Sequence, residues 1–277
     1  MHVLRYTGTS TKEEFERRVG EQPLWYHSYY FDNQLQVRGD YHIGADVEAY
    51  GFPSDMEGMR VLDIGSGAGW FATYFEQKGA IVTATDARGY CDFDKYGCYE
   101  YTDPSQEGRN EPDGIDEAGN PLYHSPVSAG FWLMMELLGS KIRFRNAKVY
   151  DISPALFDGD TFDLVFMGGL LCHLRDPIGA LMAARRVCTG RIIVTTPVIK
   201  GEPEKKTEPR QYLPYTEIDQ ITWWLPNEAC FRHWFLAAGF RDVNVGREVT
   251  MRCDIERFHN NRVVNASQIL RLGTATV

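Results

Sequence analysis

A glycine-rich run after the first strongly apolar segment is the stretch best suited to bind a ligand. Residues 61–70 read Val-Leu-Asp-Ile-Gly-Ser-Gly-Ala-Gly-Trp, which predicts a buried strand, a tight turn and the start of a helix. Glycine has no Cβ, so such a turn lets the backbone approach a ligand closely. Asp86 follows Gly65 by 21 residues, at the end of a second apolar run. This arrangement is typical of the nucleotide-binding half of a doubly wound α/β fold.

The spacing of the glycines indicates which nucleotide would fit. The dinucleotide fingerprint has a third glycine at the position of Trp70, where the helix packs close to a pyrophosphate. A bulky tryptophan there argues against phosphates, whereas the Gly-x-Gly-x-Gly spacing suits an adenosine ligand without them, S-adenosylmethionine. Asp86 is placed to accept hydrogen bonds from both ribose hydroxyls. The alternative interpretation is an ordinary turn with chance glycines.

A second candidate lies in the loop after another buried strand. The apolar run at 162–167 leads into a loop that carries His173 and Arg175. Ligands of open α/β sheets bind at the carboxyl ends of the strands, so this loop should lie beside the glycine turn. His173 could there remove a proton from a substrate hydroxyl while Arg175 orients an anionic group. The alternative is a loop histidine that only shapes the pocket.

Two aromatic stretches supply further candidates for substrate contacts. His27 is a second candidate base if the N-terminal segment folds over the site, and otherwise it is a structural histidine. Trp223 would stack on a planar or sugar-like substrate, whereas a place in the core is favoured for Trp224. The residues that we expect to bind the substrate are Tyr26, Arg175, Trp223 and Asn227.

The turn after the third core strand should contact the adenine edge of the ligand. Lys148, Val149 and Tyr150 are the candidates there, with ordinary strand-end packing as the alternative. The acidic stretch at 92–117 could bind a divalent cation, but it lacks the residue order of a calcium-binding loop. We therefore predict a solvated acidic loop and no metal site.

Apolar periodicity predicts alternating strands and helices, which imply a mostly parallel sheet. The predicted strands lie at 60–64, 81–85, 142–149, 163–167, 191–196, 242–249 and 267–273, the last two as a hairpin-like antiparallel edge. The predicted helices lie at 12–19, 69–78, 126–138, 177–187 and 227–238. Helix signals support the boundaries: Ser125 and Asn227 as N-caps, Pro177 at a first helical position, and Gly139 after a helix end.

Size and charge limit the possible partners. A chain of 277 residues, 43% hydrophobic, can form one large α/β domain with additions. We expect an aromatic-rich cap or lid at 1–55 and a core domain at 56–277 with an insertion at about 87–124. The net charge of −9 gives no general attraction to nucleic acid or an anionic membrane. Short apolar runs and the lack of a signal-peptide core predict a cytoplasmic protein. Six scattered cysteines without a Cys-x-x-Cys pair argue against a zinc or redox site.

The motifs together resemble a known family. Residues 25–28, 61–69, 168–177 and 224–227 resemble, in type and order, the class I S-adenosylmethionine-dependent methyltransferases over roughly residues 56–275. Within that class the chain is similar to the branch that contains the tRNA wobble-uridine carboxymethyltransferases and their uncharacterised relatives. The pattern Gly-Leu-Leu-Cys-His-Leu-Arg-Asp-Pro at 169–177 is the more specific part of this resemblance.

The resemblance implies a Rossmann-like, seven-stranded sheet with an antiparallel last strand, and S-adenosyl-L-methionine as the cofactor. It also implies cofactor contacts at the glycine run and at the strand ends. Motif positions and resemblance together give the expected cofactor-binding residues, which are Asp63, Gly65, Ser66, Gly67, Gly69, Trp70, Asp86, Ala87, Val149, Tyr150, Met167 and Gly168.

Two departures from the tRNA enzymes shape the expected function. Those enzymes use carboxy-S-adenosylmethionine and carry a tyrosine before the loop histidine, where this chain has Cys172. They also have a longer N-terminal region. We therefore expect methyl transfer from ordinary S-adenosylmethionine to an oxygen of a small molecule, a sugar or a secondary metabolite, with His173 and then His27 as candidate bases.

Two alternatives stay open on the sequence alone. One keeps tRNA as the acceptor and needs a basic surface, for which the candidate residues are Arg143, Arg145, Lys205, Lys206 and Arg210. The other is a non-catalytic module that binds the nucleoside. The sequence does not decide the oligomeric state, and a homodimer is among the options.

Overall fold

The structure is a computed structural model that describes residues 2–22, 25–88, 92–94, 114–115, 121–122, 129–199, 208–213, 222–253 and 268–277. Its helices are α1 (Lys12–Glu21), α2 (Trp70–Gln77), α3 (Ala129–Leu138), α4 (Pro177–Val187) and α5 (Glu228–Ala237). Its strands are β1 (Tyr29–Tyr30), β2 (Gln36–Val37), β3 (Tyr41–His42), β4 (Arg60–Ile64), β5 (Ile81–Asp86), β6 (Gly114–Ile115), β7 (Pro121–Leu122), β8 (Arg143–Asn146), β9 (Phe162–Gly168), β10 (Cys188–Pro197), β11 (Gln211–Tyr212), β12 (Leu225–Pro226), β13 (Arg241–Cys253) and β14 (Gln268–Thr276).

The central sheet has the order β3-β13-β14-β10-β9-β4-β5-β8. Strands β8, β5, β4, β9 and β10 are mutually parallel, and β14 pairs antiparallel with both β10 and β13. The expected mostly parallel, Rossmann-like sheet is confirmed. Because the last strand inserts between β10 and β13, it lies inside the sheet and does not form its edge.

An eighth strand distinguishes this sheet from the expected seven. The short β3 pairs antiparallel with the end of β13, with Arg252 opposite His42. It comes from the N-terminal segment, whose two-residue strands are too short to show the alternating pattern that identifies a strand in sequence. The N-terminal segment therefore extends the sheet in addition to packing on it.

Both faces of the sheet are covered, as the nearly continuous apolar runs of its strands require. Val61 and Phe166 point to a core shared by α2, α3 and the N-terminal segment. Their neighbours Leu62 and Val165 point to a second core shared by α4 and α5. Successive side chains of one strand alternate between the faces, so each strand serves both cores.

Helix boundaries follow the local signals. The Asn227 side chain accepts a hydrogen bond from the Cys230 amide at 2.8 Å, and Gly139 after α3 has φ +60°. Pro177 opens α4, which Asp176 caps through the Gly179 amide at 2.8 Å. Ser125, the expected cap of α3, lies outside the described residues. The predicted strand 142–149 is shorter than expected, because a turn of 3-10 helix takes over at Val149–Asp151.

Within the described ranges, none of the helices has both the length and the apolar character needed to cross a membrane.

Candidate functional site

The glycine turn between β4 and α2 is anchored to the end of the neighbouring strand. The amides of Gly65 and Ser66 both donate to the carbonyl of Thr85, at 2.9 and 3.1 Å. Gly65, Gly67 and Gly69 have φ of +75°, +53° and +82°. Residues with a Cβ rarely adopt such angles. Glycine is therefore required by the shape of the turn itself.

Close packing adds a second reason for glycine at two of these positions. A Cβ on Gly69 would lie 2.5 Å from a ring carbon of Phe131 on α3, and one on Gly65 would lie 3.1 Å from Leu170. The absence of a side chain at 69 thus lets α3 pack against the start of α2. Ligand approach is not the only use of this motif.

Asp86 closes the turn from the end of β5. One carboxylate oxygen accepts the Gly67 amide at 2.8 Å, and the other accepts the Ala87 amide at 2.8 Å. A carboxylate offers about four acceptor positions, so about two remain for further donors. Burial raises the pKa of Asp86 to about 6, and the two amide hydrogen bonds act in the opposite direction. The carboxylate is thus held in place and still able to accept hydrogen bonds from two ribose hydroxyls.

Asp63, near the end of β4, is a second carboxylate beside this turn, and the residue is 2% exposed. Burial, and then the charge of Asp86, raise the pKa of Asp63 to about 8, while the Ala72 amide opposes the shift. Its Oδ2 and the hydroxyl of Ser66 are buried without a hydrogen-bond partner among the described residues. Buried polar atoms in proteins are nearly always satisfied, so these two atoms mark a place where a polar ligand group fits.

Three expected cofactor residues can contribute only their backbone. Trp70 is 1% exposed and stacks on Tyr74 with 5.6 Å between ring centroids. Met167 is fully buried in the core under α4 and α5. A Cβ on Gly168 would lie 2.8 Å from the ring of Phe166. For Trp70 a cofactor contact would come from the backbone, because its indole is held in the core.

Tyr29 reaches the glycine turn from the N-terminal segment, a contact that the sequence analysis missed. Its buried hydroxyl donates to the carbonyl of Ala68 at 2.5 Å. Nothing in the spacing of Tyr29 relative to residues 61–70 signals this contact, which depends on how the N-terminal segment packs on α2.

The turn after β8 lies where the adenine contacts were expected. Val149 is buried and Tyr150 is half-buried. The Tyr150 hydroxyl donates to Asp94 and accepts the Asp176 amide at 3.1 Å. Lys148 is exposed, and its ammonium lies 3.4 Å from Asp92. This turn is therefore tied both to the segment after β5 and to the start of α4.

The loop after β9 brings together three of the predicted substrate-side residues. His173 is half-buried at the end of a turn of 3-10 helix, Leu171–His173. The amide of Trp223 donates to the carbonyl of Cys172 at 2.7 Å, which places the tryptophan next to this turn. The guanidinium of Arg175 lies 4.9 Å from the centroid of the Trp223 ring, within the range of a cation–π contact. Trp224 is half-buried against the core under α4 and α5.

Two predicted residues are buried within the fold. Asn227 caps α5, and its side chain also accepts the Arg210 amide at 3.1 Å and donates to the Glu208 carbonyl at 2.8 Å. The described bonds of its side chain thus all belong to the fold, and a contact of Asn227 with substrate stays a prediction. His27 is 5% exposed, and burial lowers the pKa of this imidazole to about 3. So weak a base is a poor match for a hydroxyl proton, which leaves His173 as the stronger candidate.

The polar groups at this turn fit S-adenosylmethionine. Asp86 has acceptor positions for a ribose, and Asp63 and Ser66 each have a polar atom with no partner among the described residues, suited to the charged end of an amino acid. No three His, Cys, Asp or Glu side chains within the described ranges gather as metal ligands.

Comparison with known proteins assigns the family. The family model described as Methyltransferase domain matches residues 38–245, which is more than half of the chain. A tRNA U34 carboxymethyltransferase from Pseudomonas putida is 27% identical over 194 residues, 68% of this chain and 48% of that protein. The same enzyme from Ectopseudomonas mendocina is 26% identical over 208 residues, 73% of this chain and 51% of that protein. The chain thus spans about half the length of these curated relatives.

A solved structure supports the fold over nearly the whole chain. The N-terminal domain of EvdMO1, solved in the presence of SAH (S-adenosylhomocysteine) and D-fucose, has a TM-score of 0.60 at 16% identity, covering 97% of each chain. At that identity the likeness concerns the fold. Sheet order, glycine turn and family match lead to one assignment: the chain belongs to the class I S-adenosylmethionine-dependent methyltransferases.

Proposed function

We propose that this chain transfers the methyl group of S-adenosylmethionine to an oxygen of a small molecule such as a sugar or a secondary metabolite. The observation that carries the proposal is the position of His173 beside the stacked pair of Arg175 and Trp223. His173 and Arg175 follow β9, whose parallel neighbour β4 leads into the glycine turn, and Trp223 is joined to them through the Cys172 carbonyl. A base, a cation and an aromatic surface thus lie on the ligand-binding edge of the sheet.

Each residue in this group has a specific proposed role. Bound S-adenosylmethionine supplies a methyl group on a sulfonium, which is already a strong electrophile. The chain must then orient the acceptor, and correct orientation alone provides much of the rate. His173 accepts the proton of the acceptor hydroxyl as the oxygen attacks, which contributes about 10²–10⁴-fold. Arg175 holds an anionic group of the acceptor, and the Trp223 ring packs against a planar or sugar ring.

The EvdMO1 domain supports a sugar as one acceptor class, since D-fucose was present in that structure. The acidic balance of this chain also favours a small acceptor over a polyanion. Residues 1–55 would act as a cap over the acceptor, because Tyr26 and His27 adjoin β3 and α2.

The experiment begins with a tritium-transfer assay from labelled S-adenosylmethionine into a panel of sugars and into cell extract. Once an acceptor is found, His173→Ala should lower kcat by about 10²–10⁴ while the KM of the acceptor changes much less. His233→Ala is the matched control, because His233 is exposed on α5. Full turnover in His173→Ala would refute the base role. Binding of cofactor without transfer to any acceptor would favour the non-catalytic module.

A second candidate function is modification of tRNA. Its support is the name of the curated relatives, which are tRNA U34 carboxymethyltransferases. Arg143 and Arg145 would belong to the basic surface, but each pairs with an aspartate, Asp160 and Asp158. A gel-shift titration with bulk tRNA would test this function. Affinity that falls steeply with added salt would support it, and no binding at 50 mM salt would exclude it.

A further inference from the structure

The chain after β5 folds back onto the site through a set of hydrogen bonds that centre on one carboxylate. Arg88 donates to Asp92 at 2.7 and 2.9 Å, and the Asp92 side chain is 4% exposed. Lys148 from the turn after β8 lies 3.4 Å from the same carboxylate. These contacts hold residues 92–94 against the turn that would contact adenine.

Asp94 then joins three separate segments. Its side chain accepts hydrogen bonds from the Tyr150 hydroxyl and, at 2.7 Å, from the amide of Arg175. Its backbone carbonyl accepts the indole N–H of Trp223 at 3.1 Å. Tyr150 follows β8, Arg175 follows β9, and Trp223 precedes β12. We call this set of four residues the Asp94 bridge.

The Asp94 bridge connects the two sides of the site. Tyr150 belongs to the adenine side, and the stacked pair of Arg175 and Trp223 forms the acceptor side. The Arg175 carbonyl also accepts the indole N–H of Trp224 at 3.0 Å. Any shift of the Tyr150 turn must therefore move Asp94, and through Asp94 the wall on which the acceptor would rest.

We propose that Asp94 is a positioning residue that couples occupation of the cofactor site to the geometry of the acceptor wall. The inference rests on the proposed function, since it takes the Tyr150 turn as part of the cofactor site. A ligand that fixes the Tyr150 turn fixes Asp94, whose carboxylate then holds the Arg175 amide and whose backbone carbonyl holds the Trp223 indole. Charge-assisted hydrogen bonds are strong enough to transmit such an effect. Coupling between two sites requires an element that contacts both of them, and Asp94 does so.

The test uses S-adenosylhomocysteine and needs no acceptor. Calorimetry gives the Kd of S-adenosylhomocysteine. Tryptophan fluorescence reports the surroundings of Trp223, and the variant Trp223→Phe identifies the part of the signal that comes from this ring. In the wild type, S-adenosylhomocysteine should change the Trp223 emission. In Asp94→Ala the Kd should rise about tenfold, the size of one lost charge-assisted hydrogen bond, and the Trp223 emission should no longer respond.

Further variants separate coupling from a loss of folding. Asp94→Asn keeps an acceptor oxygen and should restore part of the response. Tyr150→Phe should behave like Asp94→Ala, and the double variant should be no worse than either single one. Asp160→Ala, whose carboxylate pairs with Arg143 away from the Tyr150 turn, is the control and should leave both readouts unchanged.

The outcomes distinguish this inference from the function on which it rests. If the wild type binds S-adenosylhomocysteine but Asp94→Ala keeps the wild-type Kd and the Trp223 response, the coupling role of Asp94 is refuted alone. If Asp94→Ala unfolds, Tyr150→Phe takes its place in the test. A wild-type Kd together with a wild-type Trp223 response in Tyr150→Phe would then refute the coupling role. Failure of the wild type to bind S-adenosylhomocysteine would contradict the proposed function and this inference together.

Discussion

At the scale of single residues, the buried Asp63 and the half-buried Asp86 are carboxyl groups that cost the fold stability. Both side chains have a raised pKa, to about 8 and about 6, chiefly because they are removed from water. Perturbed carboxylates in a cleft are typical of functional sites. A fold that needed only stability would place apolar or amide side chains at such positions.

This cost predicts how the stability of the ligand-free protein depends on pH. A carboxyl whose pKa is higher in the folded state stabilises the fold at low pH, and that contribution is lost as the pH rises through the folded pKa. For Asp63 the loss extends from about pH 4 to about pH 8. Asp63→Asn should therefore gain stability over the wild type as the pH rises, and be more stable at pH 8.5. It should also bind S-adenosylhomocysteine more weakly.

Thermal unfolding from pH 5 to 8.5, with calorimetric titration of the ligand, measures both effects. Asp160→Asn is the control, because Asp160 is partly exposed and pairs with Arg143 away from the glycine turn. A stability gap between Asp63→Asn and the wild type that is the same at every pH would contradict the assigned pKa shift.

Residue identities could be predicted from the sequence where spacing alone determines the geometry. Asp86 was expected at the end of β5 because carboxyl ends of parallel strands share one edge, and the structure has it there. The hydrogen bonds of Asn227 and the burial of His27 could not be predicted from the sequence. Their surroundings depend on distant segments, such as 208–210 for Asn227, which local patterns do not encode.

At the scale of elements, the contact between α2 and α3 sets the shape of the glycine turn. Gly69→Ala would force a Cβ within 2.5 Å of Phe131 at φ +82°. We expect a loss of about 2–4 kcal/mol in the free energy of unfolding, from backbone strain and overpacking together. Gly139→Ala has φ +60° with nothing within 4 Å, so it should lose only the strain part, about 1–2 kcal/mol. Equal losses in urea unfolding would show that Phe131 does not constrain the turn.

The N-terminal segment makes a second prediction at this scale. Tyr29→Phe removes the hydroxyl that donates a hydrogen bond to the backbone carbonyl of Ala68. The turn should loosen, and the Kd for S-adenosylhomocysteine should rise several-fold, in line with about 1 kcal/mol for one hydrogen bond. Tyr30→Phe is the matched control, since the Tyr30 hydroxyl pairs with His42 at 2.9 Å away from the turn. Unchanged affinity in Tyr29→Phe would make the contact purely structural.

The helices and strands are easier to predict from the sequence than the contacts between them. The alternation of strands and helices is strong from β4 to β10, because parallel strands are continuous apolar runs. Gly139 after α3 and Pro177 at the start of α4 mark two of the helix boundaries. The two-residue β3 has no periodicity to detect, so the eighth strand could not be anticipated. The contacts of Asp94 likewise follow from tertiary packing across 56 and 129 residues of chain.

At the scale of the whole molecule, helices and the N-terminal segment cover both faces of the one central sheet. The segments that follow β4, β5, β8 and β9 therefore meet at the carboxyl edge of that sheet. The glycine turn, Asp86, Tyr150 and His173 all belong to that edge. The N-terminal segment contributes the Tyr29 contact with the glycine turn, and the Asp94 bridge joins the segments after β5, β8 and β9. Cofactor binding is therefore expected to depend on the whole edge and on no single loop.

The most direct test is calorimetric titration of S-adenosylhomocysteine into the wild type, Asp86→Ala and, as control, Asp160→Ala. The account predicts one site per chain in the wild type and in the control. It predicts at least a tenfold weaker Kd in Asp86→Ala, because each hydrogen bond from a ribose hydroxyl to the carboxylate contributes about 1.5–3 kcal/mol. No binding to the wild type, or equal binding to wild type and Asp86→Ala, would contradict it.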